Sequence, residues 1–296
     1  SEKRNFKLYV KRNSDIKDLK VIQLFDVLDA LAEYDEKLIL KRAKTIRKQQ
    51  LSNIKAHLYK EILDSLRLIK DEENIDIYLH EQMDHARILY NKGLYMQSLK
   101  VLDKLKESAR AYQQLTFLQQ ALFFEKKIES LFITRSMQDR ADQLALESDA
   151  VSNQLVLVNQ LSNLSLQLYS WYIQHGLVRN EKDKKNLRAF LEKNLPANAR
   201  VATGFYERLY YYQCQFWYAF IQQDFLQYYR YSYKWVNLFE EYPDLLKVET
   251  ASYIKGMHNL MGAHFNLMNH QKLAESIKQF EHFTKQKYLQ ENENNR

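Results

Sequence analysis

The chain has 296 residues, with 44 Lys and Arg against 37 Asp and Glu, a formal net charge of +7, and only five Gly, two Pro and one Cys. Gly and Pro punctuate turns, so their scarcity excludes an all-β fold, and it removes the Gly-rich phosphate cradles of P-loop and dinucleotide-binding proteins. One Cys excludes an intrachain disulfide framework and fits a reducing, cytoplasmic setting. No transmembrane segment is expected, because no run of eighteen apolar residues exists. The stretch Ser1–Lys7 lacks the apolar region of a signal peptide. What remains is an all-α protein.

Residues 1–70 hold 17 Lys and Arg against 10 Asp and Glu, and residues 71–296 hold 27 of each. The whole positive excess therefore sits in the first quarter of the chain. There, Ser14 is the expected N-cap of a helix over about residues 15–33, with Ile16, Leu19, Ile22, Phe25 (or Val21), Leu28 and Leu31 recurring every three or four positions. A short basic helix follows over about 35–47. The densest charge runs from Lys37 to Lys48: Lys37, Lys41, Arg42, Lys44, Arg47 and Lys48, with no acid among them. A third helix over about 49–70 places Leu51, Ile54, Leu58, Ile62, Leu66 and Ile69 on one stripe. Asp71–Asn74 is a polar interruption, read as the joint between an N-terminal cap (1–70) and the rest.

From about residue 74 the chain reads as antiparallel helix pairs: 75–91 with 95–110, 111–134 with 137–148, 150–175 with 180–194, 199–222 with 224–241, and 244–269 with 271–288. Gly93 and Gly176 suit the left-handed position after a helix end. The turns fall near 93, 136, 176, 223 and 270, a spacing typical of a solenoid. The tail 291–296 has no apolar periodicity and is expected to fray.

At Gly93 the pattern becomes specific. Ala86, Leu89, Gly93, Tyr95, Ser98, Leu102 and Leu105 resemble a tetratricopeptide repeat (TPR), with Ala86 and Ser98 at the helix crossing. The same template fits Ala263, Leu267, Leu273, Ser276, Phe280 and Phe283, and more weakly a stretch with Ala141 and Ala145 as the small residues. Tyr228 and Glu181 depart from it, and the period exceeds the motif's usual length. The layout is similar to that of bacterial TPR-type regulators of the Rap type, which carry a separate N-terminal helical bundle. The resemblance implies a right-handed α-superhelix of TPR-like pairs over about 71–290 that binds a protein or peptide in its concave face.

Residue patterns for chemistry are sparse. His80 and His85 flank a Glu but stand five apart, which on a helix turns the second ring about 140° from the first, so they do not form a zincin pair. His258 and His264, six apart, match no better, and no metal site or cofactor is expected. Cys214 lies among aromatics as packing rather than a nucleophile. No Gly-x-Ser-x-Gly elbow exists. Nothing favours an enzyme.

The most unusual stretch is 205–235, with fifteen aromatics in thirty-one residues. Phe205, Leu209, Tyr212, Phe216 and Phe220 form one stripe, expected in the core. Tyr206, Tyr210 and Trp217 form a second. Together with Tyr229 and the interleaved Arg208, Arg230 and Lys234, these are the candidate lining of a peptide groove, Tyr suiting a half-wet wall. The competing reading is that the rings only pack one pair between its neighbours. A separate reading has the basic N-terminal helix contact nucleic acid or another anionic surface through Lys37, Lys41, Arg42, Lys44, Arg47 and Lys48. The leading expectation is a non-enzymatic interaction scaffold.

Overall fold

The computed structural model describes residues 2–12, 18–68, 74–132, 138–286 and 289. It divides into two units, Ser1–Ile77 and Tyr78–Arg296. Among the described residues there are fourteen α-helices and no strand, and no helix is long and apolar enough to cross a membrane.

In the first unit, α1 (Glu2–Arg12), α2 (Asp18–Asp29) and α4 (Lys48–Arg67) pack on one another, and α3 (Glu36–Arg42) packs on α2. Helix α1 was not expected from the sequence. It buries only Phe6 and Val10, four apart, so its apolar stripe is narrow against a strongly charged background. Phe6 meets Phe25 of α2 at 4.6 Å between ring centres, while Lys3 pairs with Asp29 at 2.5 Å and Lys7 with Asp26 at 2.6 Å. The stripe of α2 centres on Val21 and Leu24, with Ile22, Phe25 and Leu28 half-buried beside them. Ser14, Ile16, Ile69, Asp71–Glu73 and the side chain of Leu19 lie outside the described residues.

The basic helix is shorter than its periodicity suggests. Asp35 caps α3, its side chain accepting from the N–H groups of Lys37 (2.7 Å) and Leu38 (3.2 Å). The helix ends at Arg42, where Ala43 takes φ −88° and ψ 68°. Ile39, Ala43 and Ile46 are all buried, and a turn closed by Ile46 N–H on the Ala43 carbonyl (2.9 Å) brings the last of them inward. Lys44 therefore sits in that turn, Arg47 precedes α4 in extended conformation, and Lys48 opens α4.

In the second unit, α5 (Ile75–Asn91), α6 (Tyr95–Ala111), α7 (Leu115–Phe132), α8 (Gln138–His175), α9 (Glu181–Asn194), a 3-10 turn (Ala199–Val201), α10 (Phe205–Gln222), α11 (Phe225–Glu241), α12 (Leu245–Val248), α13 (Thr250–Asn266) and α14 (His270–Thr284) follow in order. Packing runs largely along the sequence: α6 on α7, α7 on α8, α8 on α10, α10 on α11, α11 on α13, α13 on α14. At the first crossing, the fully buried Ser98 hydroxyl donates to the Ala86 carbonyl at 2.8 Å. Ala263 and Ser276 are also buried, whereas Ala141 and Ala145 are exposed. Gly93 and Gly176 adopt φ +75° and +74°, as a left-handed helix end requires. Gln113, Gln223 and Met268 take the same region at φ +55°, +60° and +54° without being glycine. The turn expected at Arg135–Ser136 and the tail 291–296 fall outside the described residues.

The largest departure is α8. The expected helices 137–148 and 150–175 are one helix of 38 residues, about 57 Å long at 1.5 Å per residue. No Gly or Pro interrupts Ser148-Asp149-Ala150-Val151, and α8 has two successive partners on either side of this point. Its first part meets α7, where the Ser148 hydroxyl accepts from Gln119 at 3.4 Å and Arg140 bonds the buried carboxylate of Glu125. Its second part meets α10, with the Leu161 carbonyl contacting the Cys214 thiol at 3.3 Å and Ser165 donating to Gln213 at 3.3 Å. Glu125 also takes the ammonium of the buried Lys106 from α6, so three successive helices share one buried carboxylate. Helix α9 stands aside from the main line and buries only Leu187 and Leu191, against Leu157, Leu161 and Leu164 of α8 and Ile221 of α10.

Candidate functional site

The aromatic stretch becomes α10 and α11. Gly204 precedes α10, and its N–H donates to the buried Glu207 carboxylate at 2.6 Å, closing the first turn. Not one residue of α10 is exposed: seven are buried and the rest half-buried. Phe205, Leu209 and Phe216 are buried as the first stripe predicts, and Tyr212 and Phe220 lie at its edge.

The residues singled out for a peptide groove do not converge. The Tyr206 hydroxyl donates to Glu249 at 2.8 Å and also bonds the Gln114 side chain, so its polar tip is used internally. Burial and the Glu249 charge hold its phenol in the neutral form well above the usual tyrosine range. Tyr210 is raised for the same two reasons. Trp217 faces α8, with ring centres 5.0 Å from Tyr169 and 5.9 Å from Tyr172. The Tyr229 ring lies tilted against that of His264 on α13, 5.2 Å between centres, and burial lowers the His264 pKa, favouring the neutral imidazole. These four rings thus address three different neighbours.

The cations do converge, around Tyr212 of the first stripe and two rings, Tyr211 and Tyr231, that neither stripe contains. Arg208 grips Glu241 through two parallel bonds, Nη1 to Oε2 at 2.5 Å and Nη2 to Oε1 at 2.9 Å, and its Nε donates to the Tyr212 hydroxyl at 3.3 Å. This pairing raises the Arg208 pKa and lowers that of Glu241. The Lys234 ammonium lies 5.7 Å from the Tyr212 ring centre and 5.6 Å from that of Tyr231. Its pKa is lowered, first by desolvation and then by the like charges of Arg230 and Arg208. Tyr211 bonds both Tyr231 and Arg200 of the 3-10 turn, and burial pushes its phenol up to about 12. Arg200 and Arg230 are exposed. One face therefore carries Arg200, Arg208, Arg230 and Lys234 around Tyr211, Tyr212 and Tyr231, with Glu241 paired to Arg208 alone. The signal was in the sequence as two i, i+4 pairs: Arg208/Tyr212 places a cation and a ring on one side of α10, and Arg230/Lys234 places two cations on one side of α11.

Beside Tyr231 lies a small depression of about 160 Å³ lined by Gln215, Tyr218, Gln222, Asp224 and Gln227. Two more open depressions, of about 510 and 480 Å³, flank Arg179 at the α8–α9 connection. Cys214 is buried, and its burial pushes the thiol well above the usual range, so it carries no thiolate at neutral pH. Among the described residues no three His, Cys, Asp or Glu side chains are placed to hold a metal ion. His80 stacks edge-on against Phe117 at 4.7 Å, and His85 turns to Glu81 at 3.8 Å.

In the first unit, Lys37, Lys41, Arg42, Lys44, Arg47 and Lys48 are all exposed, and none forms an ion pair with another described residue. No protein-family model, curated protein or solved structure matches the chain.

Proposed function

We propose that this protein is a non-enzymatic interaction scaffold of the cytoplasm whose second unit is a drifted TPR-like superhelix and whose α10–α11 face holds an acidic peptide segment. The Ala86–Ser98 crossing, the left-handed Gly93 and the helix-after-helix packing support the repeat reading. The observation that carries the binding reading is the charge imbalance of that face: four cations against Glu241 and the bordering Asp224, with three half-buried tyrosines that hold Arg200, Arg208 and Lys234. An acidic peptide supplies the missing anions, and the rings supply flat amphipathic area at little entropic cost. Arg230 and Lys234 are the principal anion contacts, Arg200 borders them, and Arg208 is held by Glu241 as a support. Tyr206, Tyr210, Trp217 and Tyr229 shape the helix packing behind the face.

The test uses the full chain and fluorescein-labelled fifteen-residue peptides: one rich in Asp and Glu with a central aromatic, and its Lys-for-acid counterpart. The acidic peptide should bind in fluorescence anisotropy, and Arg230→Glu with Lys234→Glu should weaken it at least tenfold while Tyr210→Phe leaves it within twofold. Equal binding of the two peptides, or no effect of the double charge reversal, would sink the reading.

A further inference from the structure

The corner between α3 and α4 carries charge that its own unit leaves uncompensated. Six cations stand exposed over twelve residues, Lys37 to Lys48. The two acids before them are engaged: Asp35 caps α3, and Glu36 acts on Lys55 of α4. The contrast is with α1, where Lys3 and Lys7 each hold an aspartate of α2. The backbone beneath the cations is anchored, because Ile39, Ala43 and Ile46 all point into the core. Cations carried on an anchored backbone lose less freedom on binding than cations on a loose arm.

The surroundings choose among polyanions. The apolar side of this segment is consumed by the core, and Leu38 is its one exposed large apolar residue. No amphipathic face is left to enter a bilayer, which interfacial helices require. No aromatic lies between Lys37 and Lys48. The nearest in sequence, Tyr34, is exposed, but the Lys55 ammonium lies 5.1 Å from its ring centre and donates to its hydroxyl at 2.9 Å, so one ring face is already taken by a cation. Unstacked bases of a single strand therefore find no row of rings among these cations to stack on. A rigid cluster of exposed cations without rings suits the phosphodiester backbone of a duplex, whose charge is dense and regular.

We infer that the α3–α4 corner is a sequence-indifferent binding surface for the phosphate backbone of duplex nucleic acid. It is separate from the peptide face of the second unit, and either reading stands or falls without the other.

The experiment measures anisotropy of labelled 20-base-pair DNA and RNA duplexes with the full chain between 50 and 200 mM salt. Both duplexes should bind within a few-fold of each other, with affinity falling roughly a thousandfold across that range if all six cations contact phosphate. The variant Lys41→Glu, Arg42→Glu, Lys44→Glu should lose at least tenfold at 100 mM salt and flatten the log–log salt slope by about three. A matched reversal on α9, Lys182→Glu, Lys184→Glu, Lys185→Glu, should stay within twofold, and both variants should keep their far-ultraviolet circular dichroism. Failure to bind either duplex, an equal loss in the α9 variant, tenfold tighter binding to a single strand, or stronger binding to phosphatidylserine vesicles than to duplex would overturn the inference.

Discussion

Individual residues in this protein take up work that the sequence assigns elsewhere. With so few glycines, three turns place Gln113, Gln223 and Met268 in the left-handed region, where a Cβ costs roughly 1–2 kcal/mol. Met268 is 72% exposed, so its side chain gives little packing in return. Met268→Gly should therefore raise stability, by up to about 1 kcal/mol after the entropy of the unfolded glycine is set against the relieved strain. Urea denaturation gives the check, and a variant no more stable than the parent contradicts this account. At Gly93 and Gly176 the residue type announced the conformation; at Gln223 only the neighbouring helix ends did. The rings show the same limit: spacing sorted Phe205, Leu209 and Phe216 into the core, but it was blind to which neighbour each half-buried tyrosine meets. That depends on residues far along the chain, such as Glu249 for Tyr206 and Glu241 for Arg208.

At the scale of elements, periodicity located most helices and misjudged two kinds of boundary. Helix α1 escaped because two buried residues, Phe6 and Val10, do not make a visible stripe. Helix α8 was divided at residue 149, where the local pattern shifts as the partner changes from α7 to α10. The change of partner alters which residues are buried without altering the backbone, and a hydrophobic pattern records only the former. Asp149→Pro separates the two views. In a loop an exposed aspartate would accept the change at little cost; within a continuous helix it removes a hydrogen bond and clashes with the preceding turn, costing about 3 kcal/mol or more. A loss of that size in chemical denaturation is expected, and a loss below 1 kcal/mol would mean the helix is not continuous there.

For the molecule as a whole, the tyrosines set an alkaline limit. Tyr211 and Tyr228 are pushed up to about 12, and Tyr206, Tyr210 and Tyr253 are raised as well, with burial as the first cause in each. The sign follows directly. Below pH 10, the ordinary value, both folded and unfolded chains hold these phenols neutral and nothing changes. Between pH 10 and about 12 the unfolded chain releases the protons while the folded chain retains them, so the unfolded state gains and stability falls. Absorbance near 295 nm should show a group of tyrosines that ionise only together with loss of helix, and Tyr228→Phe should move that transition upward. A smooth titration of every tyrosine near pH 10 in the folded protein would refute this. The basic cluster Lys37–Lys48 and the aromatic stretch 205–235, both legible in the sequence, place the two proposed surfaces in different units.

No residue of helix α10 is fully exposed, while α9 buries only two. A helix with no fully exposed residue leaves few silent positions, since most substitutions meet a neighbour. Random change in this chain should accumulate in α9 and be purged from residues 205–222. The density of tyrosine there is then a record of constraint from several directions at once, a ring being able to fill space on its faces and still hand a hydroxyl to a partner beyond.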